Sequence, residues 1–493
     1  MSPSTETTTQ LKPWKNLLCQ HSKSSLFSPN NFMKGILVIC IFSALPLHLY
    51  FSANFHGLIP DGCPECTPAF GRQAIQYDHH GRTNISHILF GIGGSAESWG
   101  QRRYYCQLWW KPHKHRGFVW LDKKPNPWPE TSPPYKVSSD TSRFKYNCGD
   151  ASRSAVRIAR IVKESFELGL KDVRWFVMGD DDTVFFAENL VNVLSKYDHN
   201  QMYYIGSHSE SVEQTLTHSY SMGYGGGGFA ISYPLAAELV RILDGCIDRY
   251  ADFYGSDEKI SGCMSEIGVP LTKELGFHQM DIQGNPYGLL AAHPIAPLVS
   301  LHHLDNFQPL FPDITRIDSV KKLIKAYKSD PSRALQHTFC HDLSRNWSVS
   351  VSWGYTVQLY PFLVTKKVLS IPLRTFATWR TWSQEPFTFD TRPMSSDPCE
   401  KPVVFYFDRV KDVRNKKTLT SYKIVDDPNN ETRCEREDYT AAYLVKGFKV
   451  LAGFLDPQVW NKAPRRQCCE IMNGSDKPAG VLQIRIQTPP LRS

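Results

Sequence analysis

Three consecutive carboxylates, Asp180, Asp181 and Asp182, are the residues that could do chemistry most directly. They follow an apolar run at residues 173–178 that predicts a strand, and an open α/β sheet binds its ligands beyond the carboxyl ends of its strands. Adjacent carboxylates repel one another unless a cation or a basic group compensates them. Asp180 and Asp182 could both face one Mg²⁺ or Mn²⁺ ion, which would neutralise the charge on a departing diphosphate. An acidic surface turn is the alternative interpretation.

Three more groups along the chain have types that suit a binding or catalytic site. Residues 223–228 are rich in glycine, which lets backbone approach a ligand closely, although a plain loop has the same composition. Asp257 and Glu258 come at the start of a predicted helix, where one could act as a general base or both could complement the helix dipole. One of four histidines could give the same ion a nitrogen ligand: His278, His293, His302 and His303.

The elements that would position these residues alternate between strands and helices. This alternation favours an α/β sheet with parallel strands. The predicted elements are strands at 87–92, 117–121 and 173–178, and helices at 102–110 and from Asp150 to Gly169. After about residue 336, alternating β-branched and aromatic segments replace the helical patterns. We therefore predict an α/β domain over residues 86–335 and a β-rich C-terminal region over residues 336–493.

The N-terminal part of the chain carries a different pattern. Residues 35–55 are apolar, and at 1.5 Å per residue they reach about 31 Å, enough to cross a bilayer. Lysines precede this run and no Lys or Arg follows it before Arg72, which predicts a cytosolic tail at 1–34 and a lumenal remainder. A cleaved signal peptide is the competing interpretation, but its polar leader would be unusually long. Residues 56–85 contain several prolines and glycines and predict a stem.

Composition excludes several classes of protein. The chain has 493 residues, of which 41% are hydrophobic and 21% charged, so it is not disordered, collagen-like or a coiled coil. Its net charge of +8 is spread without a long basic run, so we expect no nucleic-acid partner. Of the 13 cysteines, all but Cys19 and Cys40 follow the apolar run, and an oxidising compartment would pair most of them.

Residues of about 86–310 resemble the fringe-related β-1,3-glycosyltransferases, particularly the plant fringe-like branch. The resemblance rests on four motifs in order: WFVMGDDDT at 175–183, GGGGFAIS at 225–232, GSDE at 255–258, and GFH at 276–278 through SLHH at 300–303. It implies a GT-A (Rossmann-like) fold, a nucleotide-sugar donor that is usually UDP-linked, Mn²⁺ (or Mg²⁺), and inversion at the anomeric carbon.

The resemblance also implies a role for each matched residue. These roles are metal binding by Asp180 and Asp182 with His278 or His302, proton abstraction by Asp257 or Glu258, and nucleotide-sugar binding by Asp122, Asp181, Gly226 and Gly227. The β-rich C-terminal region has no counterpart in animal fringes, and the resemblance gives it no function.

These observations together predict a type II Golgi membrane glycosyltransferase. It would transfer a sugar from a nucleotide-sugar to a hydroxyl of a glycan or glycoprotein, forming a β-1,3 linkage. One alternative is a membrane-anchored carbohydrate-binding protein on the same fold, which would bind ligands without turnover. Another is a metal-dependent phosphodiesterase that uses the same carboxylates, although such sites usually place more ligands around two ions.

Overall fold

The computed structural model describes residues 81–148, 153–425, 433–472 and 480–488. The predicted cytosolic tail, the apolar run and almost all of the predicted stem lie outside the described residues, as does the predicted helix start at Asp150. Within the described part of the chain, no helix combines the length and the apolar character needed to span a membrane.

A seven-stranded sheet carries the predicted acidic motif. The described strands before residue 336 are β1 Ile88–Gly93, β2 Arg116–Leu121, β3 Tyr135–Val137, β4 Trp175–Asp180, β5 Val184–Phe185, β6 Tyr204–Gly206, β7 Phe229–Ser232, β8 Leu271–Lys273, β9 Ile282–Gly284 and β10 Ser300–Leu301. The sheet has the order β3-β2-β1-β4-β7-β6-β8. The strands predicted from residues 87–92, 117–121 and 173–178 are confirmed as β1, β2 and β4.

The sheet is mixed, because it contains the expected parallel strands and also an antiparallel strand. Strands β3, β2, β1 and β4 are parallel, whereas β7 runs antiparallel to both β4 and β6. The register pairs Met178 with Phe229 and Trp175 with Ser232. The antiparallel direction arises because residues 223–228 bring the chain into β7 at the same end of the sheet where β4 finishes.

Helices cover this sheet and separate its strands. They are α1 Trp99–Trp109, α2 Ser154–Ala159, α3 Ile161–Glu167, α4 Ala187–Leu194, α5 Val212–Thr217, α6 Tyr233–Arg249, α7 Ser256–Ile267, α8 Tyr287–Ala291 and α9 Arg316–Ser329. The helix predicted to end at Gly169 is two short helices, α2 and α3. Gly169 follows them with a φ of +59°, a conformation that favours glycine after a helix.

The β-rich C-terminal region is confirmed. Its strands are β11 His337–Asp342, β12 Trp347–Ser352, β13 Thr356–Tyr360, β14 Leu373–Arg374, β15 Phe376–Thr378, β16 Arg392–Pro393, β17 Val403–Val413, β18 Lys417–Ile424, β19 Val445–Gly453, β20 Cys468–Met472 and β21 Gly480–Gln487. An eight-stranded sheet has the order β11-β12-β13-β17-β18-β19-β21-β20. The described helices here are short: α10 Lys366–Leu369, α11 Glu437–Tyr443 and α12 Pro457–Trp460.

Apolar layers pack on both faces of the seven-stranded sheet. On one face, β1, β4 and α4 share a continuous core with the eight-stranded sheet. On the other, a second core includes side chains of α3, α6 and α7. All six residues of β1 are therefore buried, as expected for a strand covered on both faces. This burial holds the carboxyl ends of β1 and β4 in a fixed position.

Three described disulfides join Cys246 to Cys263, Cys340 to Cys469, and Cys399 to Cys434. Cys148 is also disulfide-bonded. Among the described residues, Cys106 and Cys468 are free thiols. The expectation that most cysteines after the apolar run form disulfides agrees with this pattern.

Candidate metal and acid–base site

The acidic motif occupies the turn that leaves the carboxyl end of β4. Asp180 is the last residue of β4, and its backbone N–H donates to Thr183 Oγ1 at 2.8 Å. The short pairing of β5 with β10 then brings His302 back to the turn, because Leu301 pairs with Val184. His302 Nε2 lies 3.1 Å from Asp182 Oδ1 and 3.8 Å from Asp180 Oδ2.

Asp180, Asp182 and His302 form a group that fits a divalent cation. One ligand atom from each lies within 4.8 Å of the others. Asp182 Oδ1 is buried, and the polar group beside it is His302 Nε2 at 3.1 Å. A buried carboxylate needs several polar partners, and a hard cation such as Mn²⁺ or Mg²⁺ would supply one.

The carboxylates of this turn and His302 affect one another's protonation. Burial and the neighbouring carboxylates raise the pKa of Asp180 to about 7 and that of Asp181 to about 6. Burial disfavours a charged His302, but the carboxylates of Asp182 and Asp180 outweigh it and raise the pKa of His302 to about 9. A protonated His302 thus compensates the carboxylates, a role that a divalent cation would take over.

Asp181 contacts the start of α1 and the residue before it. Its Oδ1 accepts a hydrogen bond from Arg102 Nη1 at 3.1 Å, and its Oδ2 accepts one from Ser98 Oγ at 3.2 Å. Asp122 follows β2 and lies beside the loop that connects β1 to α1, where its Oδ1 accepts from the Ala96 N–H at 2.8 Å. Asp122 and Asp181 therefore flank residues 94–98 from two sides.

The glycine-rich residues connect the cation group to a second acidic pair. Gly225 N–H donates to Asp257 Oδ2 at 2.9 Å, and the Gly226 carbonyl accepts from Thr183 Oγ1 at 2.8 Å. Gly227 N–H donates to Gln279 Oε1 at 2.6 Å. Gly226 and Gly227, predicted to bind the nucleotide-sugar, thus bond to protein groups, and Gly226 lies against His302. Their backbone sets the distance between the two parts of the site.

A side chain at position 226 would displace His302. An ideal Cβ on Gly226 would lie 2.0 Å from His302 Cε1, whereas one on Gly225 would meet its nearest neighbour, Asp257, at 3.6 Å. We expect Gly226→Ala to weaken Mn²⁺ binding about 10- to 100-fold. Gly225→Ala, the matched control, should change it little. Electron paramagnetic resonance of free Mn²⁺ measures both affinities. Equal affinities for the two variants would contradict this account of His302.

Asp257 and Glu258 lie in the first turn of α7 and have different surroundings. Glu258 Oε2 accepts from Tyr254 N–H at 2.7 Å, and its Oε1 lies 2.5 Å from His218 Nδ1. Glu258 is therefore occupied in capping α7 and pairing with His218. Asp257 lines the same small cavity as Asp180, and its two oxygens accept hydrogen bonds from the backbone N–H groups of Gly225 and Glu258.

The two carboxyls also differ in acidity. Burial raises the pKa of Asp257 above its usual value. Burial acts in the same direction on Glu258, but the hydrogen bond and charge of His218 outweigh it and lower the pKa of Glu258. An acid with a raised pKa is the better proton acceptor of two neighbouring carboxylates. The geometry and the acidity both favour Asp257 as the base.

The His218–Glu258 pair should stabilise the fold in a defined pH window. The lowered Glu258 pKa gives stability that is present above about pH 4.5 and lost as the pH falls through the folded value. Glu258 outweighs burial to raise the His218 pKa, and this gives stability that is complete below about pH 6.5 and lost as the pH rises through the folded value. The coupling should therefore be largest between about pH 4.5 and 6.5.

A double-mutant cycle of His218→Gln and Glu258→Gln measures this coupling. We expect a coupling free energy of about 1.5–3 kcal/mol at pH 5.5, the usual range for a hydrogen bond to a charged group. It should shrink at pH 9. Urea unfolding of the four chains at both pH values gives the result. A coupling that is unchanged or larger at pH 9 would exclude this ion pair.

His278 lies outside the cation group. Its Nδ1 is 3.1 Å from Glu210 Oε1 and its Nε2 is 2.9 Å from His293 Nε2. These residues are buried, and His278 and Glu210 line a separate cavity of about 330 Å³. Of the two histidines predicted as metal ligands, the structure brings only His302 to Asp180 and Asp182.

Sequence reasoning missed three side chains that contact the site. Arg102 is bonded to Asp181, His218 to Glu258, and Trp379 is stacked on His303. Ser98 and Arg102 are four residues apart and share one helical face, a spacing that could have indicated a common target. His218 and Trp379 lie far along the chain from their partners, so local spacing carries no signal for them.

Two family models match the chain. The model described as "Protein of unknown function, DUF604" matches residues 214–469, slightly more than half of the chain. The model described as "Fringe-like" matches residues 83–285. The two matches overlap over residues 214–285, which include the glycine-rich loop and Asp257.

Two curated relatives carry the name beta-1,3-glucosyltransferase. The protein from Mus musculus is 33% identical over 137 residues, which are 27% of this chain and 26% of the relative. The protein from Homo sapiens is 30% identical over 137 residues, 28% of this chain and 26% of the relative. The matched segment thus spans about a quarter of each relative's length.

Two solved structures are similar at low identity. One is a glycosyltransferase involved in the glycosylation of the major capsid of PBCV-1, with 11% identity and a TM-score of 0.22 over 38% of this chain and 81% of that chain. The other is the catalytic domain of Drosophila beta1,4galactosyltransferase 7 in complex with xylobiose, with 10% identity and a TM-score of 0.22 over 38% and 64%. From the family matches, the chain belongs to the DUF604 family and is related to the fringe-like proteins.

Proposed function

We propose that this protein is an inverting glycosyltransferase. It transfers a sugar from a nucleotide-diphosphate sugar, UDP-linked, to a hydroxyl of a glycan or glycoprotein and forms a β-1,3 linkage. One observation carries the proposal: the base candidate Asp257 and the group of Asp180, Asp182 and His302 are joined through consecutive glycines, Gly225 and Gly226. A proton acceptor beside a cation site is what transfer from a diphosphate requires.

In the proposed reaction, Asp257 accepts the proton of the acceptor hydroxyl while that oxygen bonds to C1 of the donor sugar. The bond between C1 and the β-phosphate oxygen breaks on the opposite face, which inverts C1. Its electron pair leaves with the nucleoside diphosphate, and Asp257 later returns the proton to water. Each step keeps charge and atoms balanced without an oxidant or a further reactant.

Asp180, Asp182 and His302 would hold a divalent cation. When bound, this cation supplies Lewis-acid neutralisation of the diphosphate charge. Arg102 holds Asp181 at 3.1 Å and lies 3.5 Å from Asp182 Oδ2, so it keeps the turn after β4 in place. We propose that the nucleotide binds beside the 94–98 loop, between Asp122 and Asp181.

The comparisons support the proposal at the level of the family. The Fringe-like match covers residues 83–285 and includes Asp122, the acidic motif and Asp257. The relatives named beta-1,3-glucosyltransferase support the reaction class and the linkage, and we propose the GT-A fold for the seven-stranded sheet on the same basis.

We also propose a Golgi location with type II topology and a lumenal site. The support comes from the apolar residues 35–55, the lysines before them, and the family resemblance. The disulfides suit an oxidising compartment such as the secretory pathway.

Release of UDP by the purified full-length chain tests the proposed function. The chain is incubated with a panel of UDP-sugars, with Mn²⁺ or a chelator, and with or without pooled glycan acceptors. We expect release from one donor, loss of release with chelator, and stimulation by an acceptor. Binding of glycans with no UDP release from any donor would instead support the carbohydrate-binding alternative. Release that an acceptor does not stimulate would support the phosphodiesterase alternative.

A further inference from the structure

A segment of the C-terminal region reaches the edge of the candidate site. Strand β15 pairs antiparallel with β9, with Phe376 opposite Gly284 and Thr378 opposite Ile282. Because Ile282 follows Asp281, the chain that leaves β15 arrives beside the residues around His303. Residues 379–382, which we call the platform segment, follow directly after β15.

Trp379, in the platform segment, packs against the histidine that follows His302. Its indole stacks on the His303 ring, with centroids 4.6 Å apart and an interplanar angle of 6°. His303 is adjacent to His302, with ring centroids 3.9 Å apart, and its Nδ1 lies 3.0 Å from Asp281 Oδ1. Trp379 is only half-buried, so the residue retains surface that a ligand can contact.

The other end of the platform segment lies on the base side of the site. Arg380 donates to Thr217 Oγ1 at 3.4 Å, and its charge acts on His218, the partner of Glu258. Thr378 Oγ1 donates to Glu213 Oε1 at 3.1 Å, and the Thr381 hydroxyl donates to the same carboxylate. The platform segment is therefore fixed at α5 and spans from His303 to His218.

Two large aromatic side chains at this edge are exposed. The exposed fraction is 64% for Trp382 and 50% for Tyr254, whose ring lies 5.6 Å from that of His218. Aromatic surface bordered by polar side chains is typical of ligand-binding sites. The C–H face of a pyranose ring is apolar while its hydroxyls are polar, so it matches an indole bordered by Arg380 and threonine hydroxyls.

We propose that the platform segment binds the acceptor glycan by stacking a pyranose ring on Trp379. The assignment of the bound sugar as an acceptor rests on the proposed function. It gives the C-terminal region a part in acceptor selection, with Trp379 as a residue that determines specificity and Arg380 as a hydrogen-bond donor to the sugar hydroxyls. The acceptor hydroxyl then lies on the side of the cation group where Asp257 stands.

Saturation-transfer NMR tests the binding step without turnover. The probes are the methyl glycosides of glucose, galactose, xylose and fucose, offered to the full-length chain. We expect saturation of the ring protons of at least one glycoside and at least a fivefold loss in Trp379→Ala. Phe454→Ala, which removes another exposed aromatic residue, is the matched control and should keep the signal. No signal for the unmodified chain, or equal signals for all three chains, would overturn the proposal.

Kinetics separate acceptor binding from a structural role of the stack on His303. We expect Trp379→Ala to raise the acceptor KM about tenfold and to change the donor KM much less. Trp379→Phe should recover most of the acceptor affinity. A donor KM that rises as much as the acceptor KM in Trp379→Ala would show that the indole merely positions His303. Saturation transfer to a glycoside without UDP release from any donor would refute the proposed function. It would still support sugar binding by the platform segment.

Discussion

Asp182→Asn should lower sugar transfer about 100- to 1,000-fold. Asp182 is buried, its Oδ1 lies 3.1 Å from His302 Nε2, and it shares the cation group with Asp180 and His302. The amide keeps the shape of the side chain but loses the charge that binds a hard cation. The expected loss corresponds to the several kcal/mol by which a cation stabilises the charge of a departing diphosphate in the transition state. Transfer rates measured over a range of Mn²⁺ concentrations give the result.

The control for this variant is Asp412→Asn, which changes an exposed aspartate on β17. It should transfer sugar at the original rate. Electron paramagnetic resonance adds a second readout, because Asp182→Asn should also leave more Mn²⁺ free at equal protein concentration. Full Mn²⁺-dependent transfer by a folded Asp182→Asn chain would refute the assignment of the cation group.

Asp257→Asn should lower kcat about 100- to 10,000-fold, the usual contribution of a general base. Donor and Mn²⁺ affinity should stay close to those of the original chain, because Asp257 is outside the cation group. Glu258→Gln is the matched comparison. Its oxygen can still accept from the Tyr254 N–H, so it should cost less than about tenfold in kcat and act mainly on stability.

The pH profile gives the same test a second readout. Since burial raises the Asp257 pKa, activity should fall on acidification at a higher pH than an exposed aspartate would allow. The acidic limb of the Glu258→Gln profile should follow that of the original chain. If Glu258→Gln were the more damaging change to kcat, the two carboxylates would have to exchange roles.

The fold was predictable wherever local patterns decide structure. Continuous apolar runs marked β1 and β4 because both strands are covered on two faces. Alternating aromatic and β-branched residues marked β12, β13 and β17. The antiparallel direction of β7 was not predicted, because parallel and antiparallel strands share the same residue types and only the path of the chain distinguishes them.

The candidate site was predictable in part for a related reason. Asp180 and Asp182 could be predicted from the sequence, because the apolar run before them indicates a buried strand that ends at these residues. Which of His278 and His302 joins the cation group depends on the pairing of β5 with β10. This pairing involves only two residues on each strand, so the sequence pattern does not reveal it. The difference between Asp257 and Glu258 depends on His218, and no local spacing connects that residue to α7.

The pairing of β15 with β9 has a consequence for the order of synthesis. Strand β9 leaves the ribosome about 5 to 20 s before β15 at usual elongation rates. During that interval its edge has no partner from β15, and an open strand edge can pair with another chain. The site is thus completed late in translation, when residues 376–382 reach β9 and His303. Slow elongation between the two strands would lengthen the time in which the nascent chain can misassemble.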